Sequence, residues 1–125
     1  MSMGIITDTG LENGIIDYLN RMIGGRVYSC SVHNDGKTEY TNPKFIQIGI
    51  CVQRISKKEV LEFIGMIYTG LHLDEGIKYE LEYLSNRCYS INIRKVDMKQ
   101  VVKIYTVTKM MGTYDGDGYY IKWEI

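Results

Sequence analysis

Residues 44–70 read KFIQIGICVQRISKKEVLEFIGMIYTG, and this stretch decides the fold class. Its first half alternates. Ile46, Ile48, Ile50 and Val52 fall on one side, and Phe45, Gln47, Gly49, Cys51 and Gln53 on the other. Successive side chains of an extended chain point to opposite faces, so Lys44 to Ile55 is expected to be a central strand with one apolar face. A glycine in mid-strand, Gly49, predicts a bulge or a close approach by another group. The second half changes period. Ser56-Lys57-Lys58-Glu59 is a capping box, in which the serine hydroxyl and the glutamate carboxylate each satisfy an otherwise unpaired backbone N–H. It opens a helix whose stripe is Val60, Leu61, Ile64, Ile67 and Tyr68, with Gly70 as its stop.

Working outward, residues 9–23 carry a second helical stripe of Leu11, Ile15, Ile16, Leu19, Met22 and Ile23. Thr7, Asp8 and Thr9 are candidate caps, and Gly24-Gly25 ends the helix. Arg26 to Thr41 has the pattern of a β-hairpin: Tyr28, Cys30 and Val32 alternate with Ser29, Ser31 and His33, and Asn34-Asp35-Gly36-Lys37 supplies the turn. On the other side, Gly76 to Leu84 fits a strand better than a helix, because Ile77, Tyr79, Leu81 and Tyr83 alternate with Lys78, Glu80 and Glu82. Ser85-Asn86 turns the chain into a strand from Cys88 to Val96. Val101 to Thr113 is rich in β-branched and aromatic residues and is expected to be a strand. After the turn Asp115-Gly116-Asp117-Gly118, a last strand runs from Tyr119 to Ile125.

Consecutive strands joined by short turns imply antiparallel pairing. The expected fold is therefore α+β: a mostly antiparallel sheet of about six strands, with two helices packed on one face, in a single domain over residues 1–125. The opposite face is left to meet solvent, a ligand or another copy of the chain.

Composition narrows the function classes. Fifteen basic and fifteen acidic side chains give a formal net charge of zero, which disfavours general nucleic-acid binding, since that needs a broad cationic surface. Three cysteines at long spacings (Cys30, Cys51 and Cys88) form neither a disulfide framework nor a zinc pattern, and the expected compartment is a reducing cytosol, that of a host cell. No apolar run approaches the roughly 18 residues of a membrane span, and the first ten residues lack the basic-then-apolar pattern of a secretory signal. The chain contains no alanine against 17 isoleucines and 11 tyrosines. That bias fits AT-rich coding sequence and points to a phage or mobile-element source.

Catalytic and metal motifs are lacking. His33 and His72 stand at no ligand spacing, Asp115-Gly116-Asp117-Gly118 does not continue as a calcium loop, and no phosphate-cradling glycine pattern occurs. Cys88, beside Arg87, is the one thiol with an adjacent cation. The expected cofactor is none. One charge asymmetry stands out: Arg87, Arg94, Lys95, Lys99, Lys103 and Lys109 face only Asp97 in their segment, after an acidic run of Asp74, Glu75, Glu80 and Glu82. Ser90, Asn92 and Arg94 share one strand face, a polar set unsuited to a core. Guanidinium groups pair with phosphate and tyrosines stack on bases, so Arg94, Asn92, Ser90, Tyr105 and Arg54 are the candidate ligand-binding residues for a small anionic nucleotide. Tyr119, Tyr120 and Trp123 are the candidate interface residues, for a host protein or a homo-oligomer. The expected function is a non-enzymatic binding protein or inhibitor that evades host defence by occupying a host target or sequestering a nucleotide signal. The alternative is a small hydrolase, a nuclease or cyclic-nucleotide phosphodiesterase, with His33 or His72 as general base.

Overall fold

In the computed structural model, residues 5–34, 44–108 and 122–124 are described. The element order is β1 (Ile5–Thr7), α1 (Asp8–Ile23), β2 (Val27–Asn34), β3 (Phe45–Val52), α2 (Lys57–Gly70), β4 (Tyr79–Ser85), β5 (Cys88–Asp97), α3 (Met98–Thr108) and β6 (Lys122–Glu124). The class is α+β and the main sheet is antiparallel, with four strands in the order β2-β3-β5-β4. β3 and β5 are the central pair, and each is the second strand of its own hairpin.

Three expectations change. Among the described residues the strands form two sheets rather than one, because β1 and β6 pair there only with each other, with Ile6 opposite Trp123. Among the described residues there are three helices rather than two. The expected strand over 101–113 is, through Thr108, the helix α3; the rest of that span lies outside the described residues. Val101 and Ile104 are spaced to be buried together on one helical face, and the Asp97 carboxylate accepts from the Gln100 N–H at 2.9 Å, an N-cap that starts the helix. Burial of that stripe and the cap outweigh the strand preference of the β-branched residues. Asn34 of the first expected turn is the last residue of β2, and residues 35–37 and the turn at 115–118 fall outside the described residues.

Local signals placed the other helices. Thr7 caps α1, its hydroxyl accepting from Gly10 N–H, and Gly24 ends it at φ 70, a left-handed conformation that glycine adopts without a Cβ clash. Both halves of the capping box at Ser56 and Glu59 form. The Ser56 N–H and the Arg26 guanidinium hold the Glu59 carboxyl down to about 2, and Arg87 Nη2 lies 3.7 Å away, so this one carboxylate ties α2 to the starts of β2 and β5. The buried stripe of α2 is Val60, Phe63, Ile64 and Ile67. Leu61, expected in that stripe, is exposed.

The core forms on the helix side of the sheet, from Ile46, Ile48, Ile50 and Val52 of β3, Tyr89, Ile91, Ile93 and Val96 of β5, and the buried stripes of the three helices. The other face carries Ser31, Gln47, Cys51, Ser90 and Asn92, all half-buried. Gly49 sits among them. A Cβ there would lie 3.2 Å from both Asn92 Oδ1 and Ser31 Oγ, so the glycine marks a close approach by neighbouring side chains.

Helix α1 lies along the edge strand β2 and closes it. Asn20 brackets Val27, accepting from its N–H at 2.8 Å and donating to its carbonyl at 3.0 Å, and Glu12 Oε2 accepts from Val32 N–H at 2.7 Å. Edge strands left bare recruit other strands, so these side chains stand in for a missing neighbour. Burial pushes the Glu12 carboxyl up from 4.5 to about 7; the Val32 N–H opposes this and the Asp8 charge adds to it. The folded pKa lies above the unfolded one, so the folded chain holds an extra proton between those values. The stability this brings is complete below about pH 4.5 and disappears as pH rises through about 7. Glu12→Gln keeps an acceptor for Val32 and does not ionise. Thermal melts should show the variant matching the parent near the lower value and exceeding it by about 1–2 kcal/mol in mild alkali, after allowing for solvent screening. A gap independent of pH would refute this role for Glu12.

Candidate functional site

The register between β3 and β5 breaks at one place. Ile48 pairs with Ile93, but Ile46 pairs with Val96, so Arg94 and Lys95 together oppose Gln47. This is a β-bulge on β5, and the extra residue interrupts the two-residue alternation of the strand. Lys95 takes φ 54, in the left-handed region, at a cost on the order of 1–3 kcal/mol for a non-glycine residue. In a regular strand Arg94 and Lys95 would point to opposite faces. Here both line the same cavity.

The opposite wall comes from the chain just before β4. Lys78 is tied to the bulge, its carbonyl accepting from Arg94 N–H at 2.9 Å. The connecting loop is pinned from two helices. Tyr68 Oη of α2 donates to the Ile77 carbonyl at 2.5 Å, and Gln100 Nε2 of α3 donates to Asp74 Oδ2 at 2.8 Å. The result is a cavity of about 340 Å³ lined by Gly76, Ile77, Lys78, Arg94 and Lys95. That volume lies at the small end of the range of roughly 300–1,000 Å³ for ligand sites.

Three of its five lining residues are cations. Arg94 Nη1 lies 3.3 Å from Glu80 Oε1 at the exposed surface. Among the described residues no carboxylate pairs with Lys78 or Lys95. Cationic residues gathered around one small cavity favour an anion, through charge-assisted hydrogen bonds. A second depression of about 490 Å³, between α1 and α2, is lined by Met22, Glu62, Gly65, Met66, Thr69 and Gly70. Its only charged lining residue is a glutamate, which disfavours an anion there. No family model, curated protein or solved structure matches this chain.

The residues singled out from sequence are divided by the fold. Ser90, Asn92 and Arg94 share the open face of β5, and Asn92 Nδ2 donates to Ser90 Oγ at 3.3 Å. Arg54 is at the other end of the sheet. It follows Val52, which pairs with Tyr89 near the start of β5, and it donates to the Gly25 carbonyl at 3.3 Å. Antiparallel pairing thus puts it on the order of 20 Å from Arg94. Tyr105 lies on α3 and packs against the core on the helix side, away from Ser90 and Asn92, because its segment is a helix. Tyr119 and Tyr120 lie outside the described residues, and Trp123 is in β6. His33 is exposed on β2 and His72 is exposed in the α2–β4 connection; neither lines the cavity.

Sequence reasoning missed Lys78 and Lys95 as partners of Arg94. A signal for Lys95 exists. Strict alternation from Ile91 and Ile93 would send a lysine into the core at position 95, and a cation there predicts an irregularity. Lys78 had no local signal, since it reaches the site only through the β4–β5 register.

Proposed function

We propose that this protein is a non-enzymatic binding protein that holds a small anionic ligand, of the nucleotide or phosphate-ester class, at the β5 bulge. The observation that carries this reading is the convergence of Lys78, Arg94 and Lys95 on one cavity. Arg94 and the lysines take the anionic group, while Asn92 and Ser90, next along the same strand face, offer hydrogen bonds to the rest of the ligand. The loop pinned by Tyr68 and Gln100 keeps the backbone at Lys78 in place before the ligand arrives, which lowers the ordering cost of binding. Together with the alanine-free, AT-biased composition, this suits a phage or mobile-element factor that sequesters a nucleotide signal of its host.

Calorimetric titration with inorganic pyrophosphate and with a panel of mono- and dinucleotides tests the proposal. Arg94→Ala should weaken binding about 10- to 100-fold, since a charge-assisted hydrogen bond is worth about 1.5–3 kcal/mol and 1.4 kcal/mol is tenfold. Arg54→Ala, a cation lost at the far end of the sheet, should leave affinity unchanged. Equal affinity in Arg94→Ala and the parent, or equal losses in both variants, would dismiss the bulge as the site. Slow turnover of a bound nucleotide that ends with loss of His33 or His72 would instead favour the hydrolase reading.

A further inference from the structure

The outer edge of β4 is a strand-pairing surface, and we propose that its occupant is a second copy of this chain, joined antiparallel with Lys78 opposite Glu82. Three observations lead there. First, β4 is the last strand of its sheet, and among the described residues nothing pairs with its outer side. Arg94 N–H donates to the Lys78 carbonyl, so Lys78, and by the two-residue period Glu80 and Glu82, direct their backbone groups toward β5. Tyr79, Leu81 and Tyr83 therefore direct theirs outward. The opposite edge strand, β2, is closed by Asn20 and Glu12; β4 has no such side-chain cover among the described residues.

Second, the exposed apolar area concentrates on this strand. Three of the six exposed large apolar side chains among the described residues are Tyr79, Tyr83 and Leu84. Tyr83 is 61% exposed although its ring meets Tyr89 edge-on, with centroids 5.3 Å apart. A continued sheet would cover these rings.

Third, the side-chain pattern is self-complementary when the two-fold axis is centred on Glu80. A two-fold axis at Glu80 pairs Tyr79 with Leu81, Ile77 with Tyr83, and Lys78 with Glu82, each twice. Apolar meets apolar on the helix side, and two lysine–glutamate pairs form on the open side. Those charged residues occupy the non-hydrogen-bonded positions, where facing side chains come closest. The two Glu80 carboxylates that meet at the axis each already lie beside their own Arg94. Moving the axis to Leu81 would set Glu80 against Glu82 twice, which disfavours that register. Closed two-fold pairing of one patch with itself is the commonest geometry of small oligomers.

Sedimentation velocity of the full chain across a wide concentration range is the test. The parent should pass from the 14.4 kDa monomer to a dimer as concentration rises. Glu82→Lys and Lys78→Glu should each weaken association at least tenfold. An equimolar mixture of the two single variants should regain it. One copy then carries lysine at both positions and the other carries glutamate at both, so every facing pair is of opposite charge. A parent that stays monomeric at every concentration, or a mixture as weak as either variant alone, would overturn the proposal.

Discussion

Replacing Phe63 with alanine is expected to cost about 3–5 kcal/mol of stability, the range for truncating a large buried aromatic. Against a total on the order of 5–15 kcal/mol, that leaves a substantial unfolded fraction on modest warming. Phe63 is 2% exposed and is among the largest fully buried side chains. It belongs to the stripe by which α2 joins a core rich in isoleucine and valine, whose β-branched side chains are stiff at χ1. They have little freedom to move into the space the ring leaves, so most of the cavity persists. Urea unfolding should show a lower midpoint with an unchanged slope. On the same helix Leu61 is 46% exposed, and Leu61→Ala should shift stability by no more than about 0.5 kcal/mol. Comparable losses in the two variants would mean that the buried face of α2 is wrongly assigned.

Deleting Lys95 should severely weaken anion binding while leaving the protein folded. Val96 is already paired with Ile46, and Ile93 with Ile48. Removing the extra residue lets Arg94 alone oppose Gln47 and restores a regular ladder. It also removes a non-glycine residue from φ 54, so stability should hold or rise by about 1 kcal/mol. Binding loses one cation outright and the bulge that places the other, and the expected loss is about 100-fold or more, equivalent to roughly 3 kcal/mol. Lys95→Gly separates the two effects. Glycine accepts the left-handed conformation, so the bulge remains and only the ammonium group is lost. That variant should lose about tenfold, one charge-assisted contact. A deletion variant that binds pyrophosphate as the parent does would show that the bulge does not organise the site.

The sequence made some of this fold legible and hid the rest, for physical reasons. Signals that act within a few residues were readable: the Ser56–Glu59 capping box, the Thr7 cap, the Gly24 stop and the alternation of β3. The close approach at Gly49 was also readable, because a missing Cβ in a strand leaves room that something fills. The segment from Met98 to Thr108 misled, since Val101, Val102, Ile104 and Val107 favour a strand locally, whereas burial of Val101 and Ile104 on one face favours a helix. The sign that outweighed them was Asp97, an N-cap three residues before Gln100. Among site residues, the grouping of Ser90, Asn92 and Arg94 followed from alternation alone. Adding Arg54 and Tyr105 required long-range geometry. An antiparallel neighbour reverses the chain, which carried Arg54 to the far end, and the third helix carried Tyr105 to the other layer. Lys78 and Lys95 joined Arg94 through a strand register and a bulge, neither of which a linear pattern specifies.

The backbone amide spectrum of isotopically labelled protein, followed at low ionic strength as inorganic pyrophosphate is added, bears most directly on the cationic cavity. Saturable shifts should concentrate at Gly76, Ile77, Lys78, Arg94 and Lys95, and should weaken as salt is raised. Shifts centred on Arg54 and Gly25, or no saturable change at any of these amides, would contradict it.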